Sequence, residues 1–150
     1  MGRNDTITLY TDGACSGNPG PEGWAAILKW RDHQKELSGF EAATTNNRME
    51  LRAVIEGLKA IKNDDYPVQI TTDSRYIHDA FIKDWISGWK RKGWKTSQKT
   101  DVKNRDLWEE LIDLVESYDV EWAWTKGHAE DELNNRCDEL ARGEVEKRRG

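Results

Sequence analysis

The spacing of hydrophobic and polar residues changes along the chain, and each change marks a predicted element. Apolar and polar residues alternate over 7–11, which is the pattern of a half-buried strand that stops at Asp12. A loop rich in Gly and Pro follows at 17–21, and residues 24–30 and 36–40 have the composition of two more strands. The beginning of the chain therefore predicts an antiparallel meander of three strands.

A helical period replaces this alternation in the next segment. Apolar side chains recur at helical spacing at Leu51, Val54, Ile55, Leu58 and Ile61. Asn47 and Glu50 are three residues apart and resemble a capping pair at the start of such a helix. This interpretation places Glu50 in the first turn.

Two further strands are separated by helical segments. A fourth strand over residues 68–72 ends at Asp73, and Ser74 can cap the helix that follows it. Helical spacing at 107–115 precedes a fifth strand at 120–124. Right-handed crossovers would place the fourth strand parallel to the first and beside it.

The last predicted element is a helix that begins near Asn134 or Asn135. From Gly143 the chain becomes a charged tail, 143–150, which we expect to fray. A meander followed by helix-linked strands predicts a single α/β domain with its core at about 6–142. Its sheet is expected to be mixed, five-stranded and flanked by helices.

The composition indicates one soluble globular domain. The chain has 150 residues, of which 36% are hydrophobic and 34% charged, and its net charge is −5. Its apolar runs are too short to span a membrane, and its first residues lack the apolar stretch of a secretory signal. Cys15 and Cys137 are too few for a disulfide framework. We therefore expect a cytoplasmic protein with two reduced thiols and no membrane partner.

One segment has the opposite charge to the rest of the chain. Residues 83–105 contain eight Lys or Arg and two Asp, a local charge of +6. Tryptophans and cations are interleaved in it, as Trp85, Trp89, Lys90, Arg91, Lys92, Trp94 and Lys95. This pattern is typical of a surface that neutralises phosphates and packs rings against nucleotides. A helix with buried Trp residues and solvated Lys residues would also explain Trp85 and Trp89, though not the run of charge.

Two of the predicted strands end in an aspartate. If these strands are neighbours, Asp12 and Asp73 project from the same carboxyl edge of the sheet, where open α/β sheets bind ligands. Opposed residues on paired strands have Cβ atoms roughly 5 Å apart, which suits carboxylates that share one cation or flank two. Clustered carboxylates need a cation to stay ionised, and oxygen ligands favour Mg²⁺ or Mn²⁺ over zinc. Either aspartate alone could instead be a turn or cap residue.

Five sequence blocks carry a resemblance to a known family. They are TDGACSGNPG at 11–20, TTNNRMEL at 44–51, TDS at 72–74, WISGWKRKGWKT at 85–96, and KGH at 126–128 with NRCDELA at 135–141. In this order and spacing they resemble the signature blocks of ribonuclease HI, the type 1 ribonuclease H family. The resemblance extends over about residues 6–142, so it implies a ribonuclease H-like fold for the whole predicted domain.

The resemblance implies the activity of that family, which is endonucleolytic hydrolysis of the RNA strand of RNA/DNA hybrids. It assigns the catalytic, metal-binding carboxylates to Asp12, Glu50, Asp73 and Asp138. Asp12 would bridge two Mg²⁺ ions, for which Mn²⁺ could substitute. Asp138 would complete the site of the ion that activates water, and Glu50 with Asp73 would hold the ion on the leaving-group side. The products would carry a 5′-phosphate and a 3′-hydroxyl.

The resemblance also implies substrate contacts. His128 corresponds to the loop histidine that assists proton transfer or product release in the family. The positions that touch the RNA strand or the adjoining phosphate correspond to Asn18, Thr45, Asn46 and Asn47. Amide side chains suit a 2′-hydroxyl because they both donate and accept hydrogen bonds, although Asn47 could equally be a cap residue. Residues 85–96 match a basic protrusion that grips the DNA strand.

Two positions depart from the commonest bacterial pattern. Ala43 stands where Arg is frequent, and Arg75 stands where Gln is frequent, just after Asp73 and Ser74. Both changes concern substrate contacts and leave the four acids untouched. We include Arg75 among the predicted substrate-binding residues.

Two other functions stay open at this point. The chain could be a catalytically silent module that binds hybrids, or a DNA-cutting nuclease on the same fold, such as a transposase or junction resolvase. The intact set of four acids argues against the first, and a preference for hybrids over DNA duplexes would exclude the second. No small-molecule cofactor is expected, a monomer is the default, and the sequence identifies no protein partner.

Overall fold

The structure is a computed structural model that describes residues 6–15, 20–61, 66–95, 98, 100–124 and 132–147. Within these ranges the strands are β1 (Ile7–Cys15), β2 (Gly20–Trp30), β3 (His33–Thr44), β4 (Val68–Thr72) and β5 (Val120–Trp124). The helices are α1 (Asn46–Lys59), α2 (Arg75–Ile82), α3 (Trp85–Arg91), α4 (Arg105–Glu116) and α5 (Glu132–Glu146). None of the helices in the described part of the chain has the length and apolar character needed to cross a bilayer.

The strands form one mixed sheet in the order β3-β2-β1-β4-β5. β1, β2 and β3 pair antiparallel, whereas β4 lies parallel to β1 and β5 lies parallel to β4. Parallel pairs occur where a helical crossover returns the chain to the edge from which the previous strand started. The predicted α/β fold is confirmed, including the place of the fourth strand beside the first.

The first three strands are longer than their alternation predicted, and β1 does not stop at Asp12. Its ladder with β2 continues from Asp12↔Ala25 to Cys15↔Glu22. The strand extends because pairing satisfies backbone N–H and C=O groups even where the sequence alternation is lost. Arg31 adopts the left-handed conformation, with φ 55°, in the tight turn between β2 and β3.

Helix α1 begins at Asn46, and its N-cap is Thr45 rather than the predicted Asn47. The Thr45 hydroxyl accepts a hydrogen bond from Arg48 N at 3.3 Å, and Thr45 has the extended backbone of a cap residue. Asn47 already lies inside the helix and cannot cap it. Glu50 is therefore the fifth helical residue, two positions later than the predicted cap at Asn47 implied, and it is buried.

Helices cover both faces of the sheet. Successive strand residues point to opposite faces, so Ala26 and Leu28 of β2 join the main core with α1 and α4. Ile27, between them, packs under α5 on the other face. The close approach of α5 depends on Gly23, since a Cβ there would lie 2.2 Å from the carbonyl oxygen of Ala141. This contact fixes α5, and with it Asp138, against the sheet.

Helix α5 continues to Glu146, which corrects the prediction of a frayed tail from Gly143. Val145 is only 6% exposed and Glu144 only 8%. The Ser38 hydroxyl donates a hydrogen bond to Glu144 Oε2 at 2.7 Å, which joins α5 to β3. The charged composition after Gly143 does not reveal that one face of this part of the helix is buried. The helix also starts earlier than the two asparagines predicted to begin it.

Candidate active site

Three carboxylates meet at the carboxyl edge of the sheet. β1 and β4 are paired up to Tyr10↔Thr71, so Asp12 and Asp73 stand side by side, two residues further along. Carboxylate oxygens of Asp12, Glu50 and Asp73 all lie within 4.8 Å of one another. The two strand ends therefore share one edge, as the sequence predicted.

Glu50 reaches this edge because α1 packs tightly against β1 at Gly13. A Cβ at Gly13 would lie 3.1 Å from Met49 Cβ and 3.3 Å from Glu50 Oε1. A larger residue would push the helix and its carboxylate away from Asp12. In the sequence, the glycine that directly follows Asp12 is the sign of this close approach. The alternation of apolar and polar residues does not show it.

Burial and mutual repulsion make negative charge costly in this cluster. Burial is the main cause that raises the pKa of Asp12 from 3.8 to about 8, and the charges of Asp73 and Asp138 add to it. Burial, followed by the charges of Asp12 and Asp73, raises the pKa of Glu50 well above its usual 4.5. Burial also raises the pKa of Asp73. Three such acids at one point need either protons or a bound cation.

The ligand atoms fit a hard divalent cation. Glu50 Oε1 and Asp73 Oδ1 are buried and accept no hydrogen bond from the described residues, so both can bind a cation. Every ligand atom in the cluster is a carboxylate oxygen, and such ligands favour Mg²⁺ or Mn²⁺. Cys137 is unsuited to bind zinc here, because burial raises the pKa of its thiol and its Sγ donates to the carbonyl oxygen of Tyr10.

Asp138 lies near the cluster but is not part of it. Arg142 Nε donates a hydrogen bond to Asp138 Oδ2 at 2.9 Å, and the Asp138 side chain is 43% exposed. Its charge still contributes to the raised pKa of Asp12, so the two carboxylates are neighbours. The structure thus brings three of the four predicted acids together and gives the fourth an arginine partner. Sequence reasoning missed Arg142, although opposite charges at i, i+4 on a helix indicate such a pair.

The predicted RNA contacts lie around the start of α1. Thr45 caps the helix, and Asn46 and Asn47 are its first two residues. Asn47 is exposed and Asn46 is partly buried. They therefore belong to the same end of the helix as Glu50. Two predicted site residues, Asn18 and His128, lie outside the described residues.

Arg75 is exposed at the first position of α2, two residues after Asp73. Its guanidinium carbon lies 4.6 Å from the ring centroid of Trp124, the last residue of β5. No sequence pattern indicated this neighbour, because the parallel pairing of β4 and β5 brings together residues far apart in the chain.

The three tryptophans of the basic segment, residues 83–105, do not share one exposed surface. Trp85 is 39% exposed, Trp94 is 8% exposed, and Trp89 packs partly buried against the core. The Trp89 ring centroid lies 5.9 Å from that of Trp94 and 5.2 Å from that of Trp108 in α4. Large rings lose most contact with water when they pack together. Trp94 is therefore a core residue, which corrects its predicted place on the binding surface.

The cations of this segment do face solvent. The exposed ones include Lys90, Arg91, Lys92 and Lys95. Lys90 pairs with Glu116 at 3.4 Å and Lys95 pairs with Asp101, but ion pairs between exposed side chains are weak. An aromatic cluster thus anchors a cationic surface whose charges can exchange partners.

Comparison with known proteins relates this site to one family. A family model described as RNase H matches residues 4–146. A ribonuclease H from Maricaulis maris (strain MCS10) is 56% identical over 145 residues, which are 97% of this chain and 97% of the relative. A ribonuclease H from Thermoanaerobacter sp. (strain X514) is 51% identical over 143 residues, 95% of this chain and 92% of the relative. The chain belongs to the RNase H family.

Solved structures agree with the RNase H fold. LC9-RNase H1, described as a type 1 RNase H with the type 2 active-site motif, is 34% identical with a TM-score of 0.84, over 95% of this chain and 73% of its own. LC11-RNase H1, solved in complex with an RNA/DNA hybrid, has a TM-score of 0.75 over 97% of this chain and 100% of its own. At 22% identity that second likeness shows the fold alone. The RNase H membership predicted from the five blocks is confirmed, and with it the prediction of a ribonuclease H enzyme.

Proposed function

We propose that this RNase H cuts the RNA strand of RNA/DNA hybrids internally, with two divalent metal ions held by Asp12, Glu50, Asp73 and Asp138. The observation that carries the proposal is the cluster of three buried acids whose oxygens lie within 4.8 Å of one another. Family membership supports RNA as the strand that is hydrolysed. A hybrid bound to LC11-RNase H1, which has the same fold, supports the duplex form of the substrate.

Each of the four acids has a distinct place in this proposal. The charges of Asp73 and Asp138 both raise the pKa of Asp12. This position between two other acids suits a carboxylate shared by two ions. Glu50 and Asp73 offer buried oxygens without hydrogen bonds to the described residues, and Asp138 would turn away from Arg142. Two Mg²⁺ ions, or Mn²⁺ in their place, would supply a Lewis acid, an activated water and charge neutralisation at the leaving oxygen. The products would be a 5′-phosphate and a 3′-hydroxyl.

The start of α1 would identify the strand as RNA. Asn46 and Asn47, with Thr45 and Asn18, can donate and accept hydrogen bonds with 2′-hydroxyls, which DNA lacks. Asn46 and Asn47 precede Glu50 on the same helix, so the ribose that they contact would lie close to the scissile phosphate. His128 would assist by moving a proton or helping the product to leave.

The basic segment would hold the DNA strand. Its exposed cations can neutralise phosphates, and the Trp85 ring is available to pack against a sugar or a base. Trp89 and Trp94 would act indirectly, because their packing positions the segment.

We also propose that the protein is a monomer in the cytoplasm. Among the described residues, the large hydrophobic side chains that are exposed are Ile82 and Trp85, which do not make a surface for self-association. Two cysteines in the whole chain suit a reducing compartment.

The proposed function is tested with end-labelled RNA in an RNA/DNA hybrid, incubated with magnesium or with EDTA. Single-stranded RNA, RNA duplex and DNA duplex serve as parallel substrates. We expect internal cuts in the hybrid alone and none in EDTA. Tight binding without cuts would favour a silent hybrid-binding module, and cuts in the DNA duplex would favour another nuclease of this fold.

A further inference from the structure

A cavity of about 250 Å³ lies between α2 and the end of β5, and Arg75 is the predicted substrate-binding residue in its lining. Its lining residues are Arg75, His78, Asp79, Lys83 and Trp124. We propose that this cavity binds one backbone phosphate of the strand that is cut, next to the scissile phosphate. This inference rests on the proposed function and adds a subsite to it.

The fold brings these residues together from two elements. Arg75, His78 and Asp79 are spaced i, i+3 and i+4, so they share one face of α2. Lys83 is the C-cap of the same helix. Trp124 ends β5 and completes the lining from the sheet.

The cavity is adjacent to the acids through both elements. Trp124 pairs with Thr72 of β4, the residue immediately before Asp73. Arg75 follows Asp73 by two residues, a span of at most about 7 Å even in extended chain. A strand whose phosphate lies over the acids would therefore carry its neighbouring phosphate to Arg75.

The charges in the cavity suit a single phosphate. Asp79 Oδ2 lies 3.5 Å from Lys83 Nζ, which offsets its negative charge, and Asp79 Oδ1 lies 3.4 Å from His78 Nδ1. The Arg75 guanidinium makes no hydrogen bond or ion pair with any described residue, and its central carbon lies over the Trp124 ring, 4.6 Å from the centroid. With Arg75, Lys83 and Asp79 ionised, the group carries a net positive charge.

The contact of Arg75 with the Trp124 ring explains why arginine suits this position. A cation–π contact with the ring restricts the position of the guanidinium, and the planar fork of its N–H donors matches two oxygens of a phosphate. A Gln at this position would keep hydrogen-bonding capacity but lose the charge. A Lys would keep the charge but lose the fixed fork.

The experiment measures how the affinity for a hybrid depends on salt. Hybrid binding is titrated in the Asp12→Asn background, which prevents cleavage, for Arg75→Gln, Lys83→Gln and Arg75→Lys. Losing one phosphate contact reduces the slope of log affinity against log salt by about 0.7–0.9. We expect that reduction, with a loss of affinity of roughly 3- to 10-fold, for both Gln variants. We expect Arg75→Lys to keep the slope while binding more weakly than the parent.

The matched control is Lys29→Gln. Lys29 is exposed and pairs with Thr8 near the start of β1, at the opposite end of the sheet from the acids. Lys29→Gln removes one positive charge, as Lys83→Gln does, but its site lies outside the cavity. Equal losses of slope for Lys29→Gln and Lys83→Gln would overturn the proposal, because the effect would then reflect net charge alone.

A second arm identifies the strand and the phosphate. Hybrids with a single uncharged methylphosphonate linkage, moved one step at a time along either strand, are bound by the parent and by Arg75→Gln. The difference between the two proteins should vanish at one RNA linkage next to the cleavage site. A difference that persists at every linkage, or vanishes at a DNA linkage, would overturn the subsite.

Failure of the subsite can be told apart from failure of the proposed function. The wild-type protein is tested for hybrid cleavage in parallel. If it cuts hybrids and the Gln variants keep the parent slope, the subsite alone is wrong. If it neither binds nor cuts hybrids, the proposed function is wrong and the subsite with it.

Discussion

At the residue scale, the buried acids make the stability of the metal-free protein depend on pH. Folded Asp12 keeps its proton up to about pH 8, whereas the unfolded chain releases it near 3.8. Between these values the unfolded state binds fewer protons, so the free energy of unfolding falls as pH rises. Each tenfold difference in proton affinity is worth about 1.4 kcal/mol. We predict that the melting temperature in EDTA falls from about pH 5 to about pH 8.

Thermal denaturation followed by circular dichroism checks this prediction. Asp12→Asn should flatten the decline and raise the melting temperature at about pH 8 by roughly 2–4 °C for each kcal/mol of relieved repulsion. Asp113→Asn, an exposed acid on α4, should keep the wild-type decline. Magnesium should stabilise the wild-type protein more at high pH, because the cation replaces the proton. Parallel curves for wild type and Asp12→Asn would contradict the account.

Arg142 is expected to compete with metal ions for Asp138. The two side chains are joined at 2.9 Å while 59% and 43% exposed, and such pairs are worth about 0–1 kcal/mol. Arg142→Gln should therefore raise the affinity for Mn²⁺ by up to roughly fivefold, measured by electron paramagnetic resonance without nucleic acid. The control is Arg136→Gln, because Arg136 pairs with Glu36 instead. Weaker Mn²⁺ binding by Arg142→Gln would show that the arginine supports the site.

At the element scale, the local sequence pattern predicted the exact bounds of some elements. For others it predicted only that a strand or helix is present. β4 and β5 have the predicted bounds, because both are short segments rich in β-branched or aromatic residues. β1 exceeds its alternation because its ladder with β2 continues past Asp12. A one-dimensional pattern contains no information about which neighbour will pair with a strand or for how long.

The end of α5 tests how far tertiary packing extends that helix. Val145 is 6% exposed although charged residues surround it in the sequence. Val145→Ala removes two buried methyl groups, so it should cost roughly 1.5–3 kcal/mol and lower the melting temperature by roughly 3–10 °C. Glu146→Ala, at the neighbouring exposed position, should change it by less than about 2 °C. Equal effects of the two substitutions would mean that the segment frays.

Helix α3 is tied to the fold by aromatic packing. Trp89 lies between Trp85, Trp94 and Trp108, with ring centroids 5.2–6.4 Å apart. The sequence predicted a binding surface for all three tryptophans of the segment, because spacing does not distinguish a ring that faces solvent from one that faces the core. The positive charge of the segment predicted its exposed surface better than the tryptophan spacing did, since the cations around these rings are exposed.

At the scale of the whole molecule, charge is separated along the chain. The net charge is −5, yet residues 83–105 carry +6. A polyanion approaching this segment meets a favourable local field despite the overall charge. The acids at the sheet edge would then face the substrate as ligands of bound cations rather than as free charges.

The sequence predicted some residues of the candidate site from strand and helix patterns and others only from family resemblance. Asp12 and Asp73 follow from two strand ends and one crossover rule, and the structure places them together. The position of Glu50 in the cluster depends on the close approach of α1 to Gly13, and no periodicity in the sequence predicts that approach. Asp138 followed only from family resemblance, and its pairing with Arg142 emerged from the structure. The cavity at Arg75 joins α2 to β5, so the sequence could not indicate it.

Single-turnover cleavage of an end-labelled RNA/DNA hybrid, with magnesium, compares the wild-type protein with Asp12→Asn and so tests whether the acid cluster is the active site. We expect internal cuts in the RNA by the wild type and a loss of at least about 1,000-fold in rate for Asp12→Asn. Hybrid binding should survive in the variant. Cleavage by Asp12→Asn within tenfold of the wild-type rate would contradict the assignment of the acid cluster as the active site.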